Sequence, residues 1–193
     1  MNSAKNKDAF IVQEWTSRTF YFPISCLPSG LKEAVASAYL CMRAIDQIED
    51  HPNLDNLSKA QLLREISSQL QSISTEIAVA DFSRLCSTHP QPLPEVTIRI
   101  GEWATLVPES IAPRIWDATA AMADRMAHWA VKGWKIETET DLNCYTFSVA
   151  GAVGLLLSDL WAWKVLDAPF CVLKKQLLLG LSFLVGYSYS VAY

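Results

Sequence analysis

Apolar residues recur at three- and four-residue intervals along most of this chain, and the breaks between these runs are marked by proline, glycine or capping side chains. No segment carries the two-residue alternation of Val, Ile and Thr that a half-buried strand needs, so the pattern predicts an all-α protein. Pro28-Ser29-Gly30 opens a helix at Leu31 that runs to Asp50. His51-Pro52 stops it, because proline pushes its predecessor out of the α region. Ser58-Lys59-Ala60-Gln61 has the form of a capping box and predicts a helix over 58–80. The proline-rich stretch from His89 to Pro94 reads as a connector. A short helix is expected over 95–106 and a longer one over 111–132, ended by Gly133. The next, capped by Thr138 or Thr140, passes through Tyr145 and Gly151 to about Val165, and Asp167-Ala168-Pro169 starts a last one.

The composition narrows the class of protein. A chain of 193 residues that is 51% hydrophobic has enough apolar surface for one compact domain, expected over residues 1–193. A formal charge of −4 gives no electrostatic reason to expect nucleic acid as a partner. Five cysteines, widely spaced and without a C-x-x-C pair, indicate neither a disulfide framework nor a zinc site. The polar start, residues 1–8, has no apolar run behind it, so a cytoplasmic location is expected rather than secretion. Residues 142–158 and 176–193 are uncharged, and the second stretch reaches the lower length limit of a spanning helix. Three serines, two glycines and Gln176 dilute that second stretch, which favours a buried or interfacial helix over a span. Peripheral membrane contact and self-association through an uncovered C-terminal helix are the corresponding expectations.

Candidate chemistry begins with Asp46, Glu49 and Asp50, which stand at i, i+3 and i+4 and so share one helix face. They fall at the end of the first long helix, where the partial negative charge of the terminus disfavours them by about 0.3–1 kcal/mol each at exposed sites. Something must compensate, and Arg43 is one turn away. Two readings of the triplet stand side by side: a solvated acidic helix end, and a site for Mg²⁺, which binds through few carboxylates and bridges to phosphates. Ser17-Arg18-Thr19-Phe20 places a planar guanidinium between two hydroxyls, a set of donors suited to an oxyanion or to a surface turn. Ala150, Gly151 and Gly154 leave space along one helix face, for a long apolar ligand or for close helix packing.

The segment Tyr39-Leu40-Cys41-Met42-Arg43-Ala44-Ile45-Asp46-Gln47-Ile48-Glu49-Asp50 resembles the first aspartate-rich motif of the squalene/phytoene synthases, Tyr-Leu-x-x-Arg-Ala-x-Asp-Thr-x-Glu-Asp. Gln47 replaces the usual small residue and His51 the final acid. Ser17 to Phe20 resembles the Ser-Arg-Ser-Phe segment near the start of the same family. Tyr145-Thr146-Phe147-Ser148-Val149-Ala150-Gly151-Ala152-Val153-Gly154 is similar to its second signature, Tyr-Cys-x-Tyr-Val-Ala-Gly-x-Val-Gly, with Phe147-Ser148 departing from the aromatic usage. The three segments occur in the family's order.

The resemblance implies a single helical bundle of the isoprenoid synthase type around a central cavity. It implies Mg²⁺ as cofactor and two prenyl diphosphates, farnesyl or geranylgeranyl, joined head to head to squalene- or phytoene-like products. Asp46, Glu49 and Asp50 would hold metal, and Ser17, Arg18 and Arg43 would contact diphosphate. Tyr145 would stabilise cations or move a proton, with Phe20, Tyr39, Val149 and Gly151 as further substrate contacts. In the family a second acidic motif follows, whereas here no Asp or Glu occurs beyond Asp167. The chain therefore reads as the N-terminal two-thirds of the family domain without its C-terminal helices. Two classes stay open: a prenyltransferase with slow or absent turnover, and a non-catalytic helical protein that keeps the fold to bind lipid or a partner.

Overall fold

The computed structural model describes residues 8, 9, 11, 12, 18–72, 82, 84–86 and 89–165. Ser17, the side chain of Arg18, the continuation of the second predicted helix over 73–80, and the stretches around Asp167 and 176–193 lie outside the described residues. The elements are α1 (Arg18–Ser25), α2 (Leu31–Glu49), α3 (Asn56–Ser72), α4 (Glu95–Ile98), α5 (Ile100–Ala104), α6 (Ala112–Val131), α7 (Glu139–Thr146), a π-helical turn (Phe147–Gly151) and α8 (Ala152–Val165). Among the described residues there is no strand, as the all-α reading expects. Their four cysteines are free thiols.

The bundle is built around α2. Leu31, Val35, Leu40, Ile45 and Ile48 are buried, and the small residues Ala34, Ala36, Ser37, Ala38 and Ala44 between them are buried too. A helix apolar on nearly every side must be covered on every side, and α2 touches α1, α3, α4, α5, α6 and α8. Two hydroxyls fix its neighbours in place. Ser37 Oγ donates to the Trp103 carbonyl at 2.7 Å, and Thr97 Oγ1 donates to the Ala44 carbonyl at 2.9 Å. The most extensive helix pair is α3 with α6, through faces that bury Leu62, Leu63, Ile66 and Leu70 on one side and Ile115, Met122, Ala123 and Met126 on the other.

The structure differs from the sequence reading at two helix starts. α3 begins at Asn56, earlier than the predicted Ser58, because Asp55 is the better cap. Its Oδ1 accepts from the Leu57 and Ser58 amides, both at 2.9 Å, and its Oδ2 takes the Ser58 hydroxyl, also at 2.9 Å. Gln61 turns to Glu65 instead of closing a box. The segment 95–106 forms two short helices rather than one, split at Arg99, whose backbone (φ −95°, ψ 14°) lies outside the helix. The Arg99 guanidinium holds the break together through Glu95 at 3.0 Å and Glu102 at 2.9 Å. Between the two candidate caps of α7, the chain uses Thr138. Its Oγ1 accepts from the Asp141 amide at 3.0 Å, and Asp141 Oδ2 accepts from the Thr138 amide at 3.1 Å.

Asp55→Ala should lower the thermal midpoint more than Ser58→Ala does. The hydrogen bonds from Ser58 hold the Asp55 carboxyl below its ordinary 3.8, so the folded state binds fewer protons there. The contribution of Asp55 is therefore present above that pH and fades as the pH falls through the folded value. Equal losses in the two variants, or an acid limb unchanged by Asp55→Ala, would contradict the cap. In the interior, Thr97→Val removes the bond to α2 and should cost about 1 kcal/mol in denaturant titration.

Candidate functional site

The last turn of α2 carries the carboxylates. Asp46 and Glu49 are half-buried and Asp50 is exposed, all on the end of a helix whose free carbonyls already concentrate negative charge. Two cations answer them. The Arg43 guanidinium pairs with Asp46 and stands 4.0 Å from Asp50. Lys59, from α3, donates its ammonium to the Glu49 carbonyl and so caps the helix. No local spacing announces Lys59, because the contact exists only once α3 has folded back against the end of α2.

Tyr145 reaches the same place from a distant part of the chain. Its hydroxyl donates to Glu49 Oε1 at 3.1 Å across 96 residues of sequence. The contact brings Tyr145 to the acidic end of α2, with Glu49 as the meeting point. α7 owes its position to the Thr138–Asp141 capping box and to Lys132, at the end of α6, which pairs with Asp141 at 3.0 Å. The Tyr145 ring packs edge-on against Trp129 at 5.6 Å and Trp134 at 6.4 Å between centroids. Sequence reasoning missed both indoles.

The electrostatics follow from burial. Burial, with Asp46 close by, pushes the Glu49 carboxyl up to about 7, although the Tyr145 hydroxyl works against the rise. Burial also raises Asp46, opposed by Arg43. Burial and the facing Glu49 carboxylate push the Tyr145 phenol up to about 12. The surroundings therefore favour a proton or a cation between these groups and keep Tyr145 a neutral donor.

The remaining candidates lie on α1, on α2 and in the π-helical turn. Phe20 on α1 is buried and lies 5.8 Å from the Tyr39 ring on α2, which docks the first helix on the second. Arg18 is the first residue of α1. Val149 is buried in the π-helical turn. A Cβ at Gly151 would stand 2.7 Å from Phe147 Cδ2, so the ring of Phe147 fills the space this glycine leaves. A groove of about 500 Å³ is lined by Arg125, His128, Trp129, Lys132, Cys144 and Phe147 among others.

The squalene/phytoene synthase family model matches residues 14–168, which include the acidic end of α2, Tyr145 and the π-helical turn. The chain belongs to this family. Its curated relatives include squalene synthase of Schizosaccharomyces pombe, 34% identical over 81% of this chain and 34% of the relative. Squalene synthase BSS of Botryococcus braunii is 31% identical over 83% of this chain and 34% of its own length. The Bos taurus squalene synthase is 29% identical over 86% and 38%. The chain spans about a third of the length of the first two relatives.

Among the described residues of this squalene/phytoene synthase chain, no three His, Cys, Asp or Glu side chains are placed to hold one ion. Asp46 is turned to Arg43 and Glu49 to Tyr145. The donor chemistry nevertheless suits a hard divalent cation: the oxygens are carboxylate, and two of them are buried enough that their charge is under-compensated.

Glu49 and Asp46 hold protons to higher pH in the folded than in the unfolded chain. The folded state therefore binds more protons, and the stability of the metal-free protein should fall as the pH rises from 4.5 to about 7. Glu49→Gln keeps an oxygen acceptor for Tyr145 and should flatten that fall. Urea midpoints across this range test it, and an unchanged slope in the variant would contradict the assignment to Glu49.

Proposed function

We propose that the chain contributes a metal-binding wall and the catalytic tyrosine of a Mg²⁺-dependent prenyltransferase, which joins two farnesyl or geranylgeranyl diphosphates head to head. The observation that carries this reading is the hydrogen bond from Tyr145 to Glu49. It joins the two motif segments at the half-buried, acidic end of α2, which supports the reading. Asp46, Glu49 and Asp50 would hold Mg²⁺, which when bound supplies positive charge against the diphosphate that departs.

The chain's own residues have distinct tasks in this reading. Arg43 would exchange Asp46 for a phosphate oxygen, keeping its planar fork charge-matched throughout. Ser17 and Arg18 would add donors to the same diphosphate. Tyr145, held neutral, would present its hydroxyl and ring to the allylic cation or pass a proton toward Glu49. Phe20, Tyr39 and Val149, with Gly151 on the same turn as Val149, would contact the prenyl chain. Ionisation is helped by donors fixed before charge develops, and loss of one such contact typically costs about 10²–10³ in rate.

A second reading is favoured by one observation. Among the described residues, the continuous helix Glu139–Lys164 is long and apolar enough to cross a membrane, and its most apolar 18-residue window has a mean hydropathy of 1.3, yet only 39% of that window is buried. Leu142, Phe147 and Leu155 are exposed on it. A non-catalytic protein could use that helix to contact lipid or a second copy, and a cytoplasmic enzyme could use it for peripheral membrane contact.

Calorimetry with farnesyl thiodiphosphate, an analogue slow to ionise, distinguishes the two. We expect binding that requires Mg²⁺ and that Asp46→Ala weakens at least tenfold, about 1.4 kcal/mol. Binding indifferent to Mg²⁺ and to Asp46→Ala would sink the enzymatic reading. Flotation with liposomes in the absence of any diphosphate binding would support the second.

A further inference from the structure

The end of α6 is built in an unusual way. The Gly133 amide donates to the Ala130 carbonyl and the Trp134 amide to the Trp129 carbonyl, both at 3.0 Å, which is the paired bonding of a Schellman cap. Gly133 takes the left-handed conformation that this cap requires, at φ 65°. Trp134 is left-handed as well, at φ 57°, and is the only non-glycine residue with positive φ among those described. A side chain disfavours that conformation, because its Cβ crowds the following carbonyl. Such backbone persists where the surroundings over-determine it.

The surroundings here are aromatic. Trp129 and Trp134, the acceptor and donor of the longer cap bond, both close on the Tyr145 ring, at interplanar angles of 84° and 81°. The side chains next to it in sequence, Cys144, Thr146 and Phe147, are exposed, and two residues later the helix changes from α to π bonding. The end of α6 thus presents two indoles edge-on to its ring.

We infer that Trp134 is a positioning residue: its left-handed backbone swings the indole onto Tyr145, and with Trp129 it clamps the ring so that the hydroxyl meets Glu49. The functional half of this inference rests on the proposal that Tyr145 acts in the reaction, while the clamp itself does not.

Trp134→Gly and Trp134→Phe test it in the full 193-residue chain. Glycine adopts the left-handed backbone freely, so the cap survives and only the ring is lost, whereas phenylalanine keeps a ring. The readout is the NMR spectrum of ring-¹³C-labelled tyrosine, with Tyr145 assigned by Tyr145→Phe. We expect Trp134→Gly to shift the Tyr145 resonances while the remaining tyrosines and the far-ultraviolet circular dichroism stay put, and Trp134→Phe to return them most of the way. Where the chain turns over prenyl diphosphate with Mg²⁺, Trp134→Gly should lower kcat about tenfold or more with binding of farnesyl thiodiphosphate retained, and Trp134→Phe should restore it. Tyr145 resonances unmoved by Trp134→Gly, or moved equally by both variants, would overturn the clamp. Shifted resonances in a chain that turns over no substrate would uphold the clamp and count against the catalytic reading alone.

Discussion

Two half-buried carboxylates at the negative end of an almost wholly buried helix are an unfavourable arrangement, and most of what surrounds them answers it. Asp46 and Glu49 lie where burial, the neighbouring carboxylates and the helix terminus all oppose ionisation. Arg43 answers one, Lys59 caps the carbonyl of the other, and Tyr145 donates to it from across the bundle. None of these contacts removes the excess negative charge. A residue set that weakens its own fold in this way is typical of a site kept for a ligand of opposite sign.

The wall is stiff because α2 is held along its length. Ser37 and Thr97 bind it to α5 and α4 at two levels, and His51 pins the turn that follows. His51 Nδ1 accepts the Asn53 amide at 3.3 Å, which leaves Nε2 to donate to the Pro92 carbonyl at 3.0 Å. The ring thus tethers the end of α2 to the proline-rich connector.

Helices α2 and α6 were legible because apolar periodicity and a breaker agree at each, and Gly133 ended its helix as the pattern suggested, whereas α7, the π-helical turn and α8 read as one helix. Spacing put Asp46, Glu49 and Asp50 on one helix face but left a solvated helix end and a metal site both open, and Tyr145 was singled out only by the family resemblance. Asp55 and Ser58 compete for one cap within one turn, and the carboxylate wins because its two oxygens serve three donors. The break at Arg99 has no local cue, since the contacts of Thr97 and Trp103 with α2 override what the segment would do alone. Lys59, Trp129 and Trp134 were hidden for a similar reason: each matters only through a residue distant in sequence. A tryptophan in left-handed backbone is also the last residue that turn preferences would suggest.

The π-helical turn between Tyr145 and Val153 acts on the counting of the chain. In an unbroken α-helix, residues spaced strictly by four drift about 40° around the axis at every step. Tyr145, Val149, Val153 and Leu157 are spaced in this way, and yet the last three are buried and the first reaches Glu49. A wider turn holds one extra residue, worth about 100° of rotation, and cancels most of the drift. The turn thus works as a phase corrector, setting the tyrosine and the core-facing stripe of α8 on one meridian. Adding or deleting a single residue between Tyr145 and Val153 would rotate the phenol about 100° away from its carboxylate, whereas a side-chain substitution leaves this phase untouched.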